Sequence, residues 1–361
     1  MGRRIELRLG GDWRATEGET RERFAFVAGT GTRGRVAGGR TETLGGFAEA
    51  AWSAAALTIT AGGRIDRWTI GDGRLHERVL ATGAALTDTA FRNRSGWQPT
   101  GRAGIAWDPY AAITLRSAAY LGWRLPTLNE LYRPFRVGPD ATAANAELEP
   151  ERLRGVEAGL NWRPAARARI GLTLFANRLE GAVANVTLGR GPGTFPGVGF
   201  VAAGGDYRQR ANLDAIVARG IEADARYSSG AWTVSGGWTW VEATIEDSAT
   251  GKALDGLRPA QTPRHSLSST LAWAGAGGAR ASVTARYAGP QYEDDLNRQR
   301  LAGALTVDLA AAYPVGRGVA LEARAENLTA ARLLAGISGE GVEERATPRT
   351  LWVGLRFGPR R

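Results

Sequence analysis

The densest group of side chains able to bind a ligand lies in residues 121–138, LGWRLPTLNELYRPFRVG. Its guanidinium groups would suit carboxylate or other anionic groups of a ligand. Aromatic rings, here and in a glycine-rich stretch near residue 200, would suit the apolar faces of that ligand. The alternative is a compact lid that caps strand ends and binds nothing. The candidate ligand-binding residues are Arg124, Asn129, Tyr132, Arg133, Arg136, Phe195 and Phe200.

Local signals within this segment predict one short helical turn. Thr127 and Glu130 have the spacing of a capping box, in which each side chain accepts a hydrogen bond from the other residue's backbone. Pro126 fixes the chain before the turn and Pro134 ends it. We therefore expect a closed turn, TLNELY, between two strands.

Other motifs that could carry chemistry lack the context they need. GTGTRG, residues 29–34, matches a dinucleotide fingerprint, but a glycine-rich stretch and no helix follows it. YEDDL, residues 292–296, lacks the spacing of a calcium loop. His76 and His265 are the only imidazoles, cysteine is absent, and neither histidine belongs to a nucleophile elbow. We expect no catalytic residue, no metal site, no cofactor and no enzymatic activity.

Composition narrows the class of protein. The chain has 361 residues and a net charge of +10, and all 46 basic residues except Lys252 are arginine. These arginines are scattered singly among acidic residues, so we attribute them to compositional bias and expect no nucleic-acid partner. No apolar run reaches 18 residues, which excludes a transmembrane helix. The first residues lack the apolar core of a secretory signal.

Strict alternation of apolar and polar residues is the main structural signal. It is clearest in residues 170–177, 221–227, 305–313 and 319–326, and about fourteen such strands can be counted. Many approach the 9–11 residues that a membrane-crossing strand needs. Short turns alternate with long connections, as in outer-membrane barrels. The long connections are expected at 14–42, 70–98, 124–150, 181–215, 246–261, 288–300 and 328–347.

An aromatic residue stands before each short turn, in phase with the apolar row of its strand. Amphipathic rings settle at the headgroup level of a bilayer and form a girdle. In a large soluble β-protein they would be core aromatics, but the opposite rows carry too many charges to pack against a second sheet. The predicted membrane-interface girdle consists of Trp52, Trp107, Trp162, Tyr227, Trp273, Tyr313 and Phe357.

Together these patterns predict an all-β fold, an antiparallel up-and-down transmembrane β-barrel of about fourteen strands around a wet lumen. The last strand, TLWVGLRF, ends on the side of the short turns. The long loops then lie on the opposite side, the cell exterior, and residues 124–150 are extracellular.

Two stretches resemble the hallmark of TonB-dependent outer-membrane receptors. In that family one strand ends in Phe-Arg-Ala-Pro-Thr-Leu-Asn-Glu-Leu-Tyr, and Asn-Pro-x-Leu-x-Pro-Glu opens the next. Residues 122–132 and 145–151 match these patterns, with Trp123, Leu125 and Ala146 as departures. Residues 323–357 resemble the last two strands of the family, including its terminal aromatic, Phe357.

The resemblance implies a barrel of 22 strands preceded by a plug domain and a TonB-contacting segment. Neither the plug nor that segment is recognisable in this sequence, and about eight strands would be missing from the barrel. We therefore expect residues 1–361 to form a partial receptor barrel, from a truncated, split or misannotated gene. Alone, it is expected to form an open, curved sheet.

Function follows from the resemblance. It implies the C-terminal barrel part of a bacterial outer-membrane receptor for a scarce nutrient such as a ferric siderophore. Its partners would be outer-membrane lipid, a small-molecule or metal-chelate ligand and, through a plug segment, TonB. The alternatives are a self-contained passive porin, which needs its first and last strands to pair, and a soluble β-protein that binds carbohydrate or nucleic acid.

Overall fold

The computed structural model describes residues 4–316, 318–338 and 341–358, and most of these residues lie in β-strands. The helical elements are α1 (Leu128–Tyr132) and a 3-10 helix (Lys252–Leu254). No helix in the described residues is long and apolar enough to cross a membrane. In chain order the strands are β1 (Arg4–Val27), β2 (Thr30–Ala54), β3 (Leu57–Val79), β4 (Ala85–Ala90), β5 (Arg94–Tyr110), β6 (Ile113–Arg124), β7 (Phe135–Val137), β8 (Asp140–Ala143), β9 (Glu151–Ala165), β10 (Ala168–Glu180), β11 (Val183–Arg190), β12 (Gly193–Phe195), β13 (Gly199–Val201), β14 (Asp206–Asn212), β15 (Ala215–Ser229), β16 (Trp232–Glu246), β17 (His265–Ala274), β18 (Arg280–Ala288), β19 (Gln291–Tyr292), β20 (Arg300–Leu301), β21 (Ala304–Gly316), β22 (Val319–Glu326), β23 (Leu334–Ile337), β24 (Glu343–Arg345) and β25 (Thr350–Phe357).

Fourteen strands form one continuous antiparallel wall, and β4 adds to it by pairing with β3. Each wall strand pairs with the next wall strand along the chain, in the order β1-β2-β3-β5-β6-β9-β10-β15-β16-β17-β18-β21-β22-β25. In the described residues β1 pairs only with β2 and β25 only with β22, so the wall is open. The predicted all-β, up-and-down architecture of about fourteen strands, open when alone, is confirmed.

The two faces of the wall differ sharply in chemistry. We call the inner face the one on which residues 124–150 pack, and the outer face its opposite. One row of the outer face crosses six neighbouring strands in register and is apolar throughout. Four of its members, Leu172, Leu267, Tyr287 and Leu305, are exposed, as lipid-facing side chains of an isolated wall would be. The row is Leu172, Ala223, Trp238, Leu267, Tyr287 and Leu305.

The inner face carries paired charges. Arg64 on β3 bonds to Asp12 on β1 at 2.5 Å and to Asp66 at 2.6 Å. Further along the wall, Arg116 on β6 donates to Glu157 on β9 at 3.0 Å. Such cross-strand pairs satisfy each other in a polar lumen, and they explain why the polar rows could not form a dry sheet-to-sheet core.

All seven predicted girdle residues lie at the short-turn end of the wall, on the outer face. Register shows this directly: Trp52 pairs with Ile5 and Ile59, and Trp273 pairs with Trp232 across the sheet. Phe357 pairs with Val319 at the same end, beside the turn between β21 and β22. The arrangement is the one a headgroup girdle requires, and contact of these rings with lipid stays a prediction.

A second aromatic belt, which the sequence analysis did not identify, marks the other edge of the apolar band. Trp13, Leu44, Arg67 and Trp97 are aligned across β1, β2, β3 and β5, and Trp13 and Trp97 are exposed. On β5, ten residues separate Trp97 from Trp107 of the lower belt. At about 3.3 Å per residue and a tilt near 40°, that separation spans roughly 25 Å. This height matches the apolar band of an outer-membrane barrel.

Two segments predicted as loops are strands. Residues 14–42 lie almost wholly in the β1–β2 hairpin, which pairs continuously from Arg4 and Ser53 to Val27 and Thr30. Much of 70–98 belongs to β3, β4 and β5. The prediction was wrong because it followed the apolar row, which stops where the strands leave the bilayer. Backbone pairing continues there, since a hairpin in water needs no lipid-facing row.

The remaining long connections fold together at the end opposite Phe357. Strand β8, in 124–150, pairs in parallel with β14, in 181–215, within a small sheet of order β11-β14-β8-β7. Three further two-stranded sheets, β12–β13, β19–β20 and β23–β24, belong to the same layer. The prediction that 124–150 and 181–215 share one rim is therefore confirmed.

The assignment of faces can be tested on neighbouring residues of β21. Leu309 lies on the outer face about midway up the band, and Ala310 lies on the inner face. We expect Leu309→Arg to lower the free energy of unfolding in lipid vesicles by about 2–4 kcal/mol, because the charge enters hydrocarbon. Ala310→Arg enters the wet side and should cost far less. Equal losses in urea unfolding of the two variants would contradict the assignment.

Candidate functional site

The segment from Arg124 to Arg136 forms a folded clasp on the inner face of the wall. Its single helical turn, α1, is capped at its N-terminus by Thr127, whose hydroxyl accepts from Glu130 N at 3.2 Å. The carboxylate of Glu130 accepts in return from Thr127 N at 2.6 Å. The predicted capping box is therefore present, and Pro126 and Pro134 on either side of the turn are fully buried.

Tyr132 anchors this clasp. Its side chain is 2% exposed and belongs to a cluster of buried residues with Leu131, Trp68, Ile70 and Leu148. The apolar clasp residues therefore cover two inner-face residues of β3. The structure assigns Tyr132 to packing, so the expected ligand contact through its ring is not available in this conformation.

Two glycines of the wall make room for the Tyr132 ring. A Cβ added at Gly39 would lie 2.8 Å from Tyr132 Cε2, and one added at Gly73 would lie closer still. On another side Phe91 stacks on the ring with centroids 5.0 Å apart. The clasp can approach β2 and β3 this closely only because both positions lack a side chain.

Arg124 joins the clasp to the next strand of the wall. Its guanidinium donates to Glu130 at 2.9 Å and to Glu151 at the start of β9. Glu151 also accepts from Val183 N at 2.7 Å, which connects the clasp to 181–215. Burial alone would raise the pKa of Glu130, but bonds from Arg124 and Thr127 outweigh it and hold that pKa below its usual range. Arg124 is thus engaged within the protein.

Arg133 reaches a row of charges on the first hairpin. Glu22, Arg35 and Glu77 stand directly opposite one another on β1, β2 and β3. Arg133 donates to Glu22 at 3.0 Å, and Arg35 donates to Glu77 at 2.5 Å and to the Pro134 carbonyl at 2.6 Å. Arg35 is only 9% exposed, so its bonds are shielded from water. The network therefore attaches the clasp to the β1–β2 hairpin.

Arg210 on β14 supports the end of α1. It donates to the carbonyls of Asn129 and Arg133, the latter at 3.0 Å, and its guanidinium lies 5.1 Å from the Phe135 ring centroid. The Asn129 carbonyl also accepts from Arg133 N, whereas the Arg133 carbonyl lies just past the helix, where carbonyls lack intrahelical partners and a cation can satisfy them. Burial lowers the pKa of Arg210, a cost that these contacts offset.

Arg136 brings the two predicted phenylalanines to the clasp. Its guanidinium donates to the carbonyl of Val198 at 2.5 Å and to that of Phe200 at 2.8 Å. Phe200 is 61% exposed beside it, whereas Phe195 stacks on Tyr207 with centroids 4.6 Å apart. Of the two phenylalanines, Phe200 is therefore the one open to a ligand.

A cavity of about 710 Å³ lies between the clasp and the inner face of β1–β3. Asn129 and Arg124 border it from the clasp, and Arg14, Thr43 and Asp66 border it from the wall. The exposed side chain of Asn129 is free to contact a bound molecule. In the described residues no group of three or more histidine, aspartate or glutamate side chains is placed to hold a metal ion.

The structure thus gathers all seven candidate residues into one connected region, but it divides their roles. Tyr132, Arg124 and Phe195 are used in packing or internal ion pairs, while Asn129 and Phe200 remain exposed. Sequence reasoning missed Arg35 and Arg210, which hold the clasp in place. No local motif marks either one. Each is one arginine in a stretch of strand that has no alternating row of apolar residues, and the sequence contains no further sign of its role.

The role of Arg210 can be measured by hydrogen exchange. We expect Arg210→Met to expose the amides of Leu131 and Arg133, which bond within α1, by lowering the local opening free energy about 1–3 kcal/mol. The exposed Arg219 on neighbouring β15 offers a matched control, Arg219→Met, with unchanged exchange. Unchanged protection of both amides in Arg210→Met would show that the clasp stands without it.

Solved structures share this fold along nearly the whole chain. The ferric yersiniabactin uptake receptor FyuA from Yersinia pestis superposes with a TM-score of 0.74 at 14% identity, covering 98% of this chain and 51% of that one. The ferric-catecholate import receptor Fiu from E. coli K12, in its open form, superposes with a TM-score of 0.69 at 15% identity, covering 98% of this chain and 49% of that one. The copper transporter OprC superposes with a TM-score of 0.68 at 18% identity, covering 97% of this chain and 57% of that one.

This chain spans about half the length of the solved structures that it matches. At these identities the likeness shows the fold alone. No curated protein matches the chain.

A match to a family model assigns the chain to a protein family, which the fold likeness alone does not. The model described as TonB dependent receptor-like, beta-barrel matches residues 1–328. The family consists of transport receptors of the bacterial outer membrane rather than enzymes. The match agrees with the antiparallel wall, its outer apolar band and its layer of long connections, and the chain belongs to the TonB-dependent receptor-like β-barrel family.

Proposed function

We propose that this chain is the wall and outer-loop part of a receptor for the active uptake of a scarce nutrient, such as a ferric siderophore. Energy would come from TonB through a plug segment. The observation that carries the proposal is an excess of positive charge at the extracellular end of the clasp. There, Arg33 and Arg136 have no carboxylate within 4.0 Å among the described residues.

The charges around this point do not balance. Arg33 and Arg35 are two residues apart on β2 and lie on the same face, and only Arg35 has carboxylate partners, Glu22 and Glu77. Burial, together with repulsion from Arg35 and Arg33, lowers the pKa of Arg136. An anionic group on a ligand would relieve that repulsion and accept the free N–H donors.

Apolar contact is available at the same place. Phe200 is exposed next to the carbonyl that binds Arg136, and Val137 on β7 is also exposed. Guanidinium donors beside an exposed ring suit a ligand with anionic oxygens and a flat apolar surface. Anionic ferric chelates built on catecholate groups have both features.

Relatives of the same fold support this class of ligand. Two are named as receptors for ferric yersiniabactin and for ferric catecholates, and a third is named as a copper transporter. A self-contained passive porin, the alternative, requires pairing of β1 with β25, and the described residues show none. Nothing observed in the wall favours that alternative.

The ligand class can be tested with two ferric chelates of similar size, an anionic tris-catecholate and an uncharged trihydroxamate. We expect Arg136→Gln and Arg33→Gln each to weaken binding of the anionic chelate about tenfold, the value of one charge-assisted hydrogen bond. Binding of the uncharged chelate should not change. Equilibrium binding to the full chain in detergent measures both.

The control variant is Arg264→Gln. Arg264 is also exposed near the outer loops, but it is paired with Glu242 at 3.4 Å and lies far from the clasp in sequence. Its affinity for either chelate should match that of the unaltered chain. If neither chelate binds, or if Arg33→Gln and Arg136→Gln leave the anionic chelate bound as before, the proposed site is refuted.

A further inference from the structure

A second cavity, of about 670 Å³, lies within the extracellular layer, apart from the clasp cavity. Its floor is apolar and is formed by Leu213, Ile216, Ile245 and Leu254. Leu213, Ile245 and Leu254 are each less than 5% exposed and belong to one buried cluster, so they hold the floor in place. The apolar surface that a ligand can touch is that of Ile216, Ile337 and Val342. A cavity of this size and lining suits a ligand with an apolar body.

Two carboxylates from different loops face each other across Gly336, at the wall of this cavity. A Cβ added at Gly336 would lie 3.4 Å from Oε2 of Glu344 and 3.6 Å from Oε1 of Glu293. Glu293 accepts one hydrogen bond, from Gln261 at 3.0 Å. Among the described residues Glu344 has neither a hydrogen bond nor an ion pair. Both groups therefore keep acceptor positions free.

The other three acids of the cavity are already used. Asp140 accepts from the amide of Asp206 at 2.9 Å and from Arg208 at 3.0 Å. Asp294 accepts from the amides of Arg298 and Gln299 at 2.8 and 2.7 Å, which closes its own turn. Asp295 accepts from the amide and the hydroxyl of Thr187, which ties two loops together. Only Glu293 and Glu344 thus have the freedom to bind a ligand.

We infer that this cavity binds a cationic amphiphile, an organic amine whose ammonium group lies between Glu293 and Glu344 and whose apolar body lies against Ile216, Ile337 and Val342. An ammonium supplies up to three donors to acceptors that are otherwise unfilled. The charge is opposite to that favoured beside Arg33 and Arg136. Val137 borders both places, but the two ligands differ in charge and rely on different charged side chains, so either proposal can fail without the other.

Three naphthalene probes of matched shape test the inference: 2-(1-naphthyl)ethylamine, 2-(1-naphthyl)ethanol and 1-naphthylacetate. With the full chain in detergent at low salt, fluorescence titration should show saturable binding of the amine, and the other two should bind at least about tenfold more weakly. Equal binding of all three would mean apolar partition only and would overturn the inference, as would no saturable binding of the amine.

Variants separate charge from shape. Glu293→Gln and Glu344→Gln should each weaken amine binding about tenfold, because each removes a charge-assisted hydrogen bond. Gly336→Ala keeps both carboxylates but places a methyl group between them at ordinary contact distances, so it should also weaken the amine. The control is Glu343→Gln, because Glu343 is next to Glu344 in sequence but is paired with Arg332. This variant should bind the amine as the unaltered chain does. Unaltered binding in Glu293→Gln, Glu344→Gln and Gly336→Ala alike would refute the site.

Discussion

Hydrocarbon offers the backbone no hydrogen-bond partner, and this constraint determines the rest of the wall. Each N–H or C=O left unpaired there costs several kcal/mol, so the strands must pair continuously through the apolar band. Continuous pairing fixes register, and register fixes which side chains face lipid. The same register that aligns Leu172 with Ala223 on the outer face also aligns Glu22, Arg35 and Glu77 on the inner face.

The layer of long connections follows a related rule, because buried polar groups must also find partners. Arg35 and Arg210 donate to carbonyls of the clasp, and Arg124 bridges Glu130 and Glu151. Most charges of the loops are consumed in this way. Several charges remain without an opposite partner, and two groups of them matter for the proposals made above: the guanidiniums of Arg33 and Arg136, and the carboxylates of Glu293 and Glu344 beside Gly336.

Local signals were enough to predict the wall, the lower aromatic belt and the capping box of Thr127 and Glu130, because each depends on spacing within one element. The fate of Tyr132 depends on Gly39 and Gly73, more than 50 residues away in sequence, and no pattern near Tyr132 records them. Long pairing in the first hairpin was missed for a different reason. Outside the bilayer a strand has no row of lipid-facing apolar residues. On β1 that row ends at Trp13, although the pairing with β2 continues beyond it.

The open β1 edge of the wall needs hydrogen-bond partners from another strand along only part of its length. On β1 the outer face is apolar from Ile5 to Leu9 and ends at Trp13, so only this lower part lies at the level of hydrocarbon. Above Trp13 the edge stands in water, which can satisfy its free groups. The charges of lower β1, such as Arg8 and Asp12, are paired with residues of β2 and β3 on the inner face, and its outward residues Ile5, Leu7 and Leu9 are all apolar. In lipid this edge therefore needs a neighbouring strand over roughly ten residues, whichever chain supplies it.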